Sequence, residues 1–291
     1  MLTLTFLGVG SAFARRNDQS NALLEAWHAS PEAQSQPDDN LLIDFGATGP
    51  RAYDRLAGEA GFEYLNRDGR PSYSAIRRIF VTHLHSDHVG GLEELAWQTL
   101  KARGAVDPPA PKPEMMLAQP LMSRLWDEVL RGGLGAMEGR TLSLDDFFTV
   151  RPVAGKKGPR DFKLLNRYAC EALPTDHIRV ARRHDWPSFG LGLRDTATGD
   201  TALYSSDTRF DPQGFGDWLT ESIICFHEVQ FEPDTPRVHT DLAELNTLPP
   251  RVKRRMVLFH YGDTWDDPKY ASVNSVYKGL AVPRRRYTIF A

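Results

Sequence analysis

The chain has 291 residues with 35 Lys+Arg against 38 Asp+Glu, a net charge of −3 and a pI near 6.3, which excludes a global attraction to polyanions. Hydrophobic residues at 41% and charged residues at 25% exclude general disorder and a fibrous repeat, and the length suffices for one large domain or two moderate ones. Only two cysteines occur, Cys170 and Cys225, both in apolar stretches, and no uncharged run approaches the roughly 18 residues of a membrane helix; together these point to a cytoplasmic protein with reduced thiols and no membrane partner.

Leu2 to Phe6 alternates Leu and Thr with the period of a half-buried strand, turned by Gly8, Gly10 and Ser11. Asn21 to Trp27 and Asn40 to Phe45 predict the next strands, separated by the polar insertion HASPEAQSQPDDN. A helix is expected over residues 48 to 59. Ile76 to Val81 is a strong strand that delivers the chain into THLHSDH, and LEELAWQTLKAR follows as a helix, acidic early and basic late. Residues 104 to 113, with PPAPKP, predict a stiff connector, Met115 to Ala118 a strand and Leu121 to Leu130 a helix. Residues 132 to 160 carry no clear pattern. Strands resume at Phe162 to Leu173, Phe189 to Arg194, Thr201 to Ser205, Ser222 to Phe226 and Met256 to Phe259, with short helices at 240 to 247 and 268 to 279. Strands outnumber helices in each half, which suggests two packed sheets with helices outside.

The chemistry lies in the histidines. Of nine, seven fall in four segments: THLHSDH with His83, His85 and His88, PTDHIR with His177, FHEVQFEPDTPRVHT with His227 and His239, and LFHYGD with His260. His28 and His184 read as surface residues. In an extended segment His83, His85 and Asp87 point one way, while His88 turns toward a second point as the chain enters its helix, so the run can feed two neighbouring ions. His177, Asp207 in LYSSDTRF and His260 each end a predicted strand, where each alone reads equally as a turn or cap residue. The basic runs at Lys156, Lys157 and Arg160, at Arg251, Lys253, Arg254 and Arg255, and at Arg284, Arg285 and Arg286 read as solvated surface.

HxHxDH followed by glycine, then a distant His, an Asp in a YSSDT setting and a final His resembles the metallo-β-lactamase superfamily in its metal-dependent hydrolase branch. The similarity runs from FLGVGSA through LLIDFG to LFHYGD. It implies an α/β fold, a four-layer αββα sandwich of two mixed sheets, over a single domain of residues 1 to 291 with insertions near 28 to 39 and 104 to 160. It also implies two divalent metal ions, with zinc expected and manganese or iron as alternatives: His83, His85 and His177 on one, Asp87, His88 and His260 on the other, and Asp207 between them. In such a centre a metal-bridging hydroxide is the nucleophile, which Asp87 orients.

FHEVQF and VHT further resemble the two short motifs of the tRNA 3′-end endonuclease tRNase Z and its phosphodiesterase relatives. That resemblance implies His239 as general acid toward the leaving oxygen and Glu228 as its orienter; His227 has no assigned role. The expected function is a dinuclear phosphodiesterase acting on a small or cyclic nucleotide-like ester. Alternatives are an RNA 3′-processing endonuclease, which requires the Arg251 to Arg255 cluster beside the cleft, an ester, lactone or thioester hydrolase, and a metal-binding module without turnover. Relatives are often dimers, so a homodimer is among the expected assemblies.

Overall fold

The computed structural model describes residues 1–104, 111–154, 161–180, 186–232 and 237–291; most of the expected connector, Lys156, Lys157, Arg160 and His184 lie outside them. The chain first lays down β1 (Leu2–Gly8), β2 (Asn21–Ala26), β3 (Asp39–Ile43), β4 (Arg78–Val81), β5 (Glu114–Ala118) and β6 (Thr149–Val153). Here β1, β2 and β3 pair antiparallel, and β3 to β6 pair parallel. Parallel strands covered on both faces need apolar residues at nearly every position, and Leu41, Leu42 and Ile43 of β3 are all buried.

A second sheet follows in chain order: β7 (Asp161–Leu164), β8 (Tyr168–Ile178), β9 (Trp186–Asp195), β10 (Thr201–Tyr204), β11 (Ile224–Glu228), β12 (Met256–Phe259) and β13 (Gly279–Leu280). It is antiparallel through β10 and parallel thereafter. The last strand, β14 (Arg286–Phe290), returns to the first sheet beside β1.

The two sheets meet face to face. Phe6 of β1 lies with its ring centroid 5.2 Å from Phe259, 5.7 Å from Phe226 and 6.3 Å from Tyr204, side chains of three strands in the other sheet. Removing each such side chain from water stabilises the pairing by roughly 1.5–3 kcal/mol. Helices cover the outer faces. α1 (Gly49–Ala57), with Pro50 in its first turn, buries Ala52, Tyr53, Leu56 and Ala57. The one-turn α2 (Ser86–Val89) leads into α3 (Leu92–Gly104), which buries Leu92, Leu95, Ala96 and Thr99 at helical spacing. Short helices at Pro212–Phe215 and Asp217–Glu221 pack on β8 and β10.

Several expected elements differ. Phe162 to Leu173 is two strands rather than one, because Leu165 and Asn166 adopt φ of 50° and 54° and turn β7 into β8. The second of these continues to Ile178, so His177 lies inside a strand instead of after one. The helix expected from Leu121 runs to 134 with a wide turn over Leu125–Leu130. The helix over 240 to 247 shrinks to Leu242–Leu245, and that over 268 to 279 to Pro268–Tyr270 and Val273–Val276. The strand expected over Ser222 to Phe226 begins at Ile224 and runs on to Glu228. The unassigned region supplies β6 and a small hairpin, Ala136–Met137 with Arg140–Thr141. β14 was hidden by its arginines: Arg286 forms a bidentate pair of 2.9 and 3.0 Å with the buried Glu25 carboxylate, so its charge is spent inside the fold.

Candidate metal centre and cleft

The strands deliver the donors to one edge of the sandwich. β4 ends at Val81 and the chain remains extended through His85, then turns helical at Ser86. Asp87 therefore sits in the first turn of α2, not in the extended run with His83 and His85, and this helical turn sends it to the second group of donors. Gly46 permits this placement: a Cβ there would lie 1.8 Å from the Asp87 carbonyl oxygen. Asn21 ties the same contact, donating to that carbonyl at 3.2 Å and accepting from Gly46 N–H at 2.7 Å. Asp44, Ser206 and His260, at the ends of β3, β10 and β12, adopt φ of 59°, 53° and 61°. Left-handed backbone at non-glycine residues costs about 1–3 kcal/mol each and persists only where the surroundings impose it.

Among the described residues three groups of donors result, the third being Glu228, His239 and His260, which shares His260 with the second. In the first, His85 Nδ1 lies 3.1 Å from His83 Nε2 and 3.2 Å from His177 Nε2, and Asp207 Oδ2 lies 3.8 Å from each of those two nitrogens. In the second, His88 Nε2 and His260 Nε2 both lie 3.4 Å from Asp207 Oδ2, and 3.3 and 3.4 Å from Asp87 Oδ2. All seven expected ligands are thus gathered, with one Asp207 oxygen common to both groups. A tetrahedral ion with bonds near 2.0 Å separates its donors by about 3.3 Å, so this spacing fits a cation in each of these first two groups.

Outer partners set the tautomers. Thr82 Oγ1 donates to Asp44 Oδ2 at 2.7 Å and so accepts from His83 Nδ1–H at 3.0 Å, leaving Nε2 with its lone pair. His88 Nδ1–H donates to Asp44 Oδ2 at 2.7 Å, and His177 Nδ1–H to the Val238 carbonyl at 2.8 Å. His88 Nε2 is buried without a hydrogen-bond partner, a costly state that a cation relieves. Burial pushes His83 well below the usual imidazole range and His177 down to about 4, so both rings are neutral, as ligation requires. Burial opposes ionisation of Asp207, yet His260 and His88 hold it well below the usual carboxylate range.

Beside the second group, His239 Nδ1 lies 2.9 Å from Glu228 Oε2. Burial disfavours charge on His239, but the Glu228 carboxylate outweighs it and raises the ring to about 9. Glu228 is wholly buried and also accepts from Thr208 N–H at 2.7 Å. His227, its neighbour on β11, necessarily faces the other side of the sheet; it packs against Phe215, and burial holds it neutral with a pKa of about 4.

Three neighbours were not singled out in the sequence. Asp44, buried between Thr82 and His88, was noted only within LLIDFG. Trp186 lies 5.6 Å from His85 at an interplanar angle of 31°, with Arg124 over it at 4.6 Å. Phe13 lines the cleft above the donors, about 760 Å³ in volume, walled by loops around Ser11, Gln230 and Asp263. Among the described residues no Lys or Arg lines it. The Arg251 to Arg255 cluster precedes β12 while His260 follows it, so the cluster lies at the far end of that strand. His28 is exposed and paired with Asp38 at 3.0 Å.

Two mixed sheets flanked by helices, with histidines and aspartates converging at one sheet edge, define a protein of the metallo-β-lactamase fold, with donor clusters consistent with metal use. Unliganded yeast PDE1 superposes with a TM-score of 0.67 at 13% identity, covering 98% of each chain. The short form of human tRNase Z superposes at 0.62 and 17%, covering 99% of this chain and all of its own. Within that fold the chain belongs to the family described as Anti-Pycsar protein Apyc1, whose family model matches residues 2–278. The Apyc1 of Paenibacillus harenae is 32% identical over 289 residues, 98% of this chain and 99% of its own. That of Bacillus phage vB_BsuM-Goe3 is 31% identical over 269 residues, 91% and 90% respectively. Among the described residues no helix is long and apolar enough to cross a membrane.

Proposed function

We propose that the protein is a dinuclear metal-dependent phosphodiesterase acting on a small or cyclic nucleotide-like phosphodiester, and the observation that carries this reading is the Glu228–His239 pair beside the donor groups. His83, His85, His177 and Asp207 would hold one divalent ion, and Asp87, His88, His260 and Asp207 the other. Zinc suits the imidazole-rich set, and manganese or iron are the alternatives. Bound there, such ions supply Lewis acidity toward a phosphoryl oxygen and lower the pKa of water.

The chain's own groups do the rest. Asp87, at the cleft surface, accepts a hydrogen bond from the attacking water. The water oxygen forms the new bond to phosphorus, its proton passing by way of the Asp87 carboxylate to solvent, as the bond to the ester oxygen breaks. The departing alkoxide is a poor leaving group, and His239 Nε2–H gives it a proton. Glu228, on the opposite ring nitrogen, keeps the acid charged before transfer and in place during it.

A thioester releases a thiolate with less need of such an acid, and a binding module has none, so the pair favours cleavage of an ester that expels an alkoxide, as a phosphodiester does. A cleft without lysine or arginine among the described residues also favours a small substrate over RNA. With Zn²⁺ or Mn²⁺ the protein should hydrolyse bis(4-nitrophenyl) phosphate. On a 3′,5′-cyclic nucleotide, whose leaving group is an alkoxide, His239→Ala should lose about 10²–10⁴-fold in rate while retaining its metals, and much less on the nitrophenyl ester, whose phenolate departs without a proton; a variant as active as the parent on the cyclic ester would remove the proton-donor role.

A further inference from the structure

Among the described residues, five large hydrophobic side chains are exposed; four lie between 43% and 46%, and Phe13 stands at 87%. A solitary exposed apolar residue needs no explanation on its own. Phe13 differs because it lines the cleft and because the backbone on both sides of it is pinned. Ala12 O accepts from Gln19 Nε2 at 3.1 Å, and Ser11 N–H donates to Tyr261 O at 3.2 Å. On the other side, Arg15 and Arg16 N–H donate to the Asp263 carboxylate at 2.8 and 3.0 Å, and Arg16 forks onto Asp266 at 2.6 and 2.7 Å. The loop is therefore built to hold one unpartnered ring in water: among the described residues Phe13 makes no ring contact, whereas Phe231, also lining the cleft, is 6% exposed and packed on Tyr270 at 4.6 Å.

Keeping an ordered phenyl ring wet forgoes its burial free energy unless something covers it later. Among the described residues the cleft has no lysine or arginine to attract a second phosphate beside Phe13, and its charged imidazole, His239, is paired with Glu228 next to the donor groups. A flat, uncharged group attached to the phosphodiester meets both conditions. Resting on the phosphodiesterase reading above, we infer that Phe13 is a substrate-binding residue whose ring face stacks on the nucleobase of a nucleotide ester, while the phosphate lies at the donor groups. Base stacking on an aromatic side chain tolerates any base, because every base presents a π face. Phe13 thus selects for the presence of a base rather than its identity.

The test compares two esters with the same leaving group, thymidine 5′-(4-nitrophenyl phosphate) and methyl 4-nitrophenyl phosphate. Phe13→Ala should raise KM for the thymidine ester about tenfold with kcat held, and leave both constants unchanged for the methyl ester. Phe13→Trp should restore the difference. Equal changes for both esters, or none, would overturn the inference. A readout independent of turnover is the fluorescence of 2-aminopurine riboside 5′-monophosphate, which stacking quenches. Quenching by the parent protein that Phe13→Ala abolishes supports the platform even if neither ester is cleaved, an outcome that sinks only the hydrolase reading. No quenching by the parent, or a Phe13→Ala variant that converts a dimer to monomer in light scattering, assigns the ring elsewhere.

Discussion

The two donor groups look alike as a count of side chains and differ in what stands behind them. The first draws three imidazoles from the segment after β4 and from β8, and their supports are neutral: the Thr82 hydroxyl, the Val238 carbonyl and the face of Trp186. The second has Asp87 as well as Asp207 in it, and its supports are carboxylates, Asp44 on His88 and Glu228 3.7 Å from His260 Nδ1. A cation sees the field of outer carboxylates as well as its own ligands, so the second group should bind a hard divalent ion more tightly, while the first is the softer, more open site.

The most damaging change removes what they share. Asp207→Ala deletes the one residue that, among the described residues, belongs to both groups, and both proposed ions should be lost on gel filtration, with activity reduced well beyond the 10–100-fold typical of an outer-partner loss. Retention of both ions by elemental analysis would break the bridging assignment. A narrower change separates the groups. Asp44→Asn keeps the shape but removes the charge directly behind His88, so affinity at the second group should fall by about 10–100-fold, while the first, which Asp44 reaches only through the Thr82 hydroxyl, should fall less. Competition against a chromogenic chelator resolves the two steps, and equal weakening of both would mean that Asp44 serves the fold rather than one site.

The contrast also accounts for what the sequence disclosed. The residues that converge were legible, since His83, Asp207 and His260 each follow a recognisable apolar strand and the THLHSDH run is dense. Their supports were not. Asp44 is one aspartate among many until β3 and β4 lie parallel and bring it against Thr82, and Trp186 is 101 positions from His85 in the chain. Strand alternation alone places Asp87 with His83 and His85, whereas the resemblance placed it with His88 and His260; the structure groups it the second way because the period of two ends at His85 and one helical turn redirects Asp87. Phe13 follows the turn expected at Gly8, Gly10 and Ser11, where no periodicity fixes the direction of a side chain, and only the pinned loop shows that its ring faces water.

Glu228 lies behind the proposed acid, His239, as well as behind the second group, and its charge can be tested by pH. The folded environment raises His239 from 6.5 to about 9, against the effect of burial, mainly through Glu228. The raised value keeps the donor protonated, so activity lost as pH rises reports its deprotonation. Glu228→Gln removes the charge, lowers the His239 pKa and moves the alkaline limb of kcat/KM to lower pH. The loss should be on the order of tenfold at pH 8 and smaller at pH 6. A limb that stays in place would assign it to a different group.

The smallest effect belongs to the support that carries no charge. Trp186 is held between His85 and Arg124, its ring tilted 31° from the imidazole, and it is the sole aromatic neighbour of His85 other than histidines among the described residues. Aromatic pairs of this kind contribute about 0.5–1.5 kcal/mol beyond burial. Trp186→Leu keeps an apolar side chain there and removes the flat face, which frees His85 to turn about its own bonds. The first group should then bind its ion about threefold more weakly, by the same energy range, with the second group unchanged. That selectivity is the point of the experiment: Asp44→Asn and Trp186→Leu should weaken opposite steps of one chelator titration. If both variants weaken the same step, the two groups are not energetically separate, and the difference between neutral and charged supports has no consequence for binding.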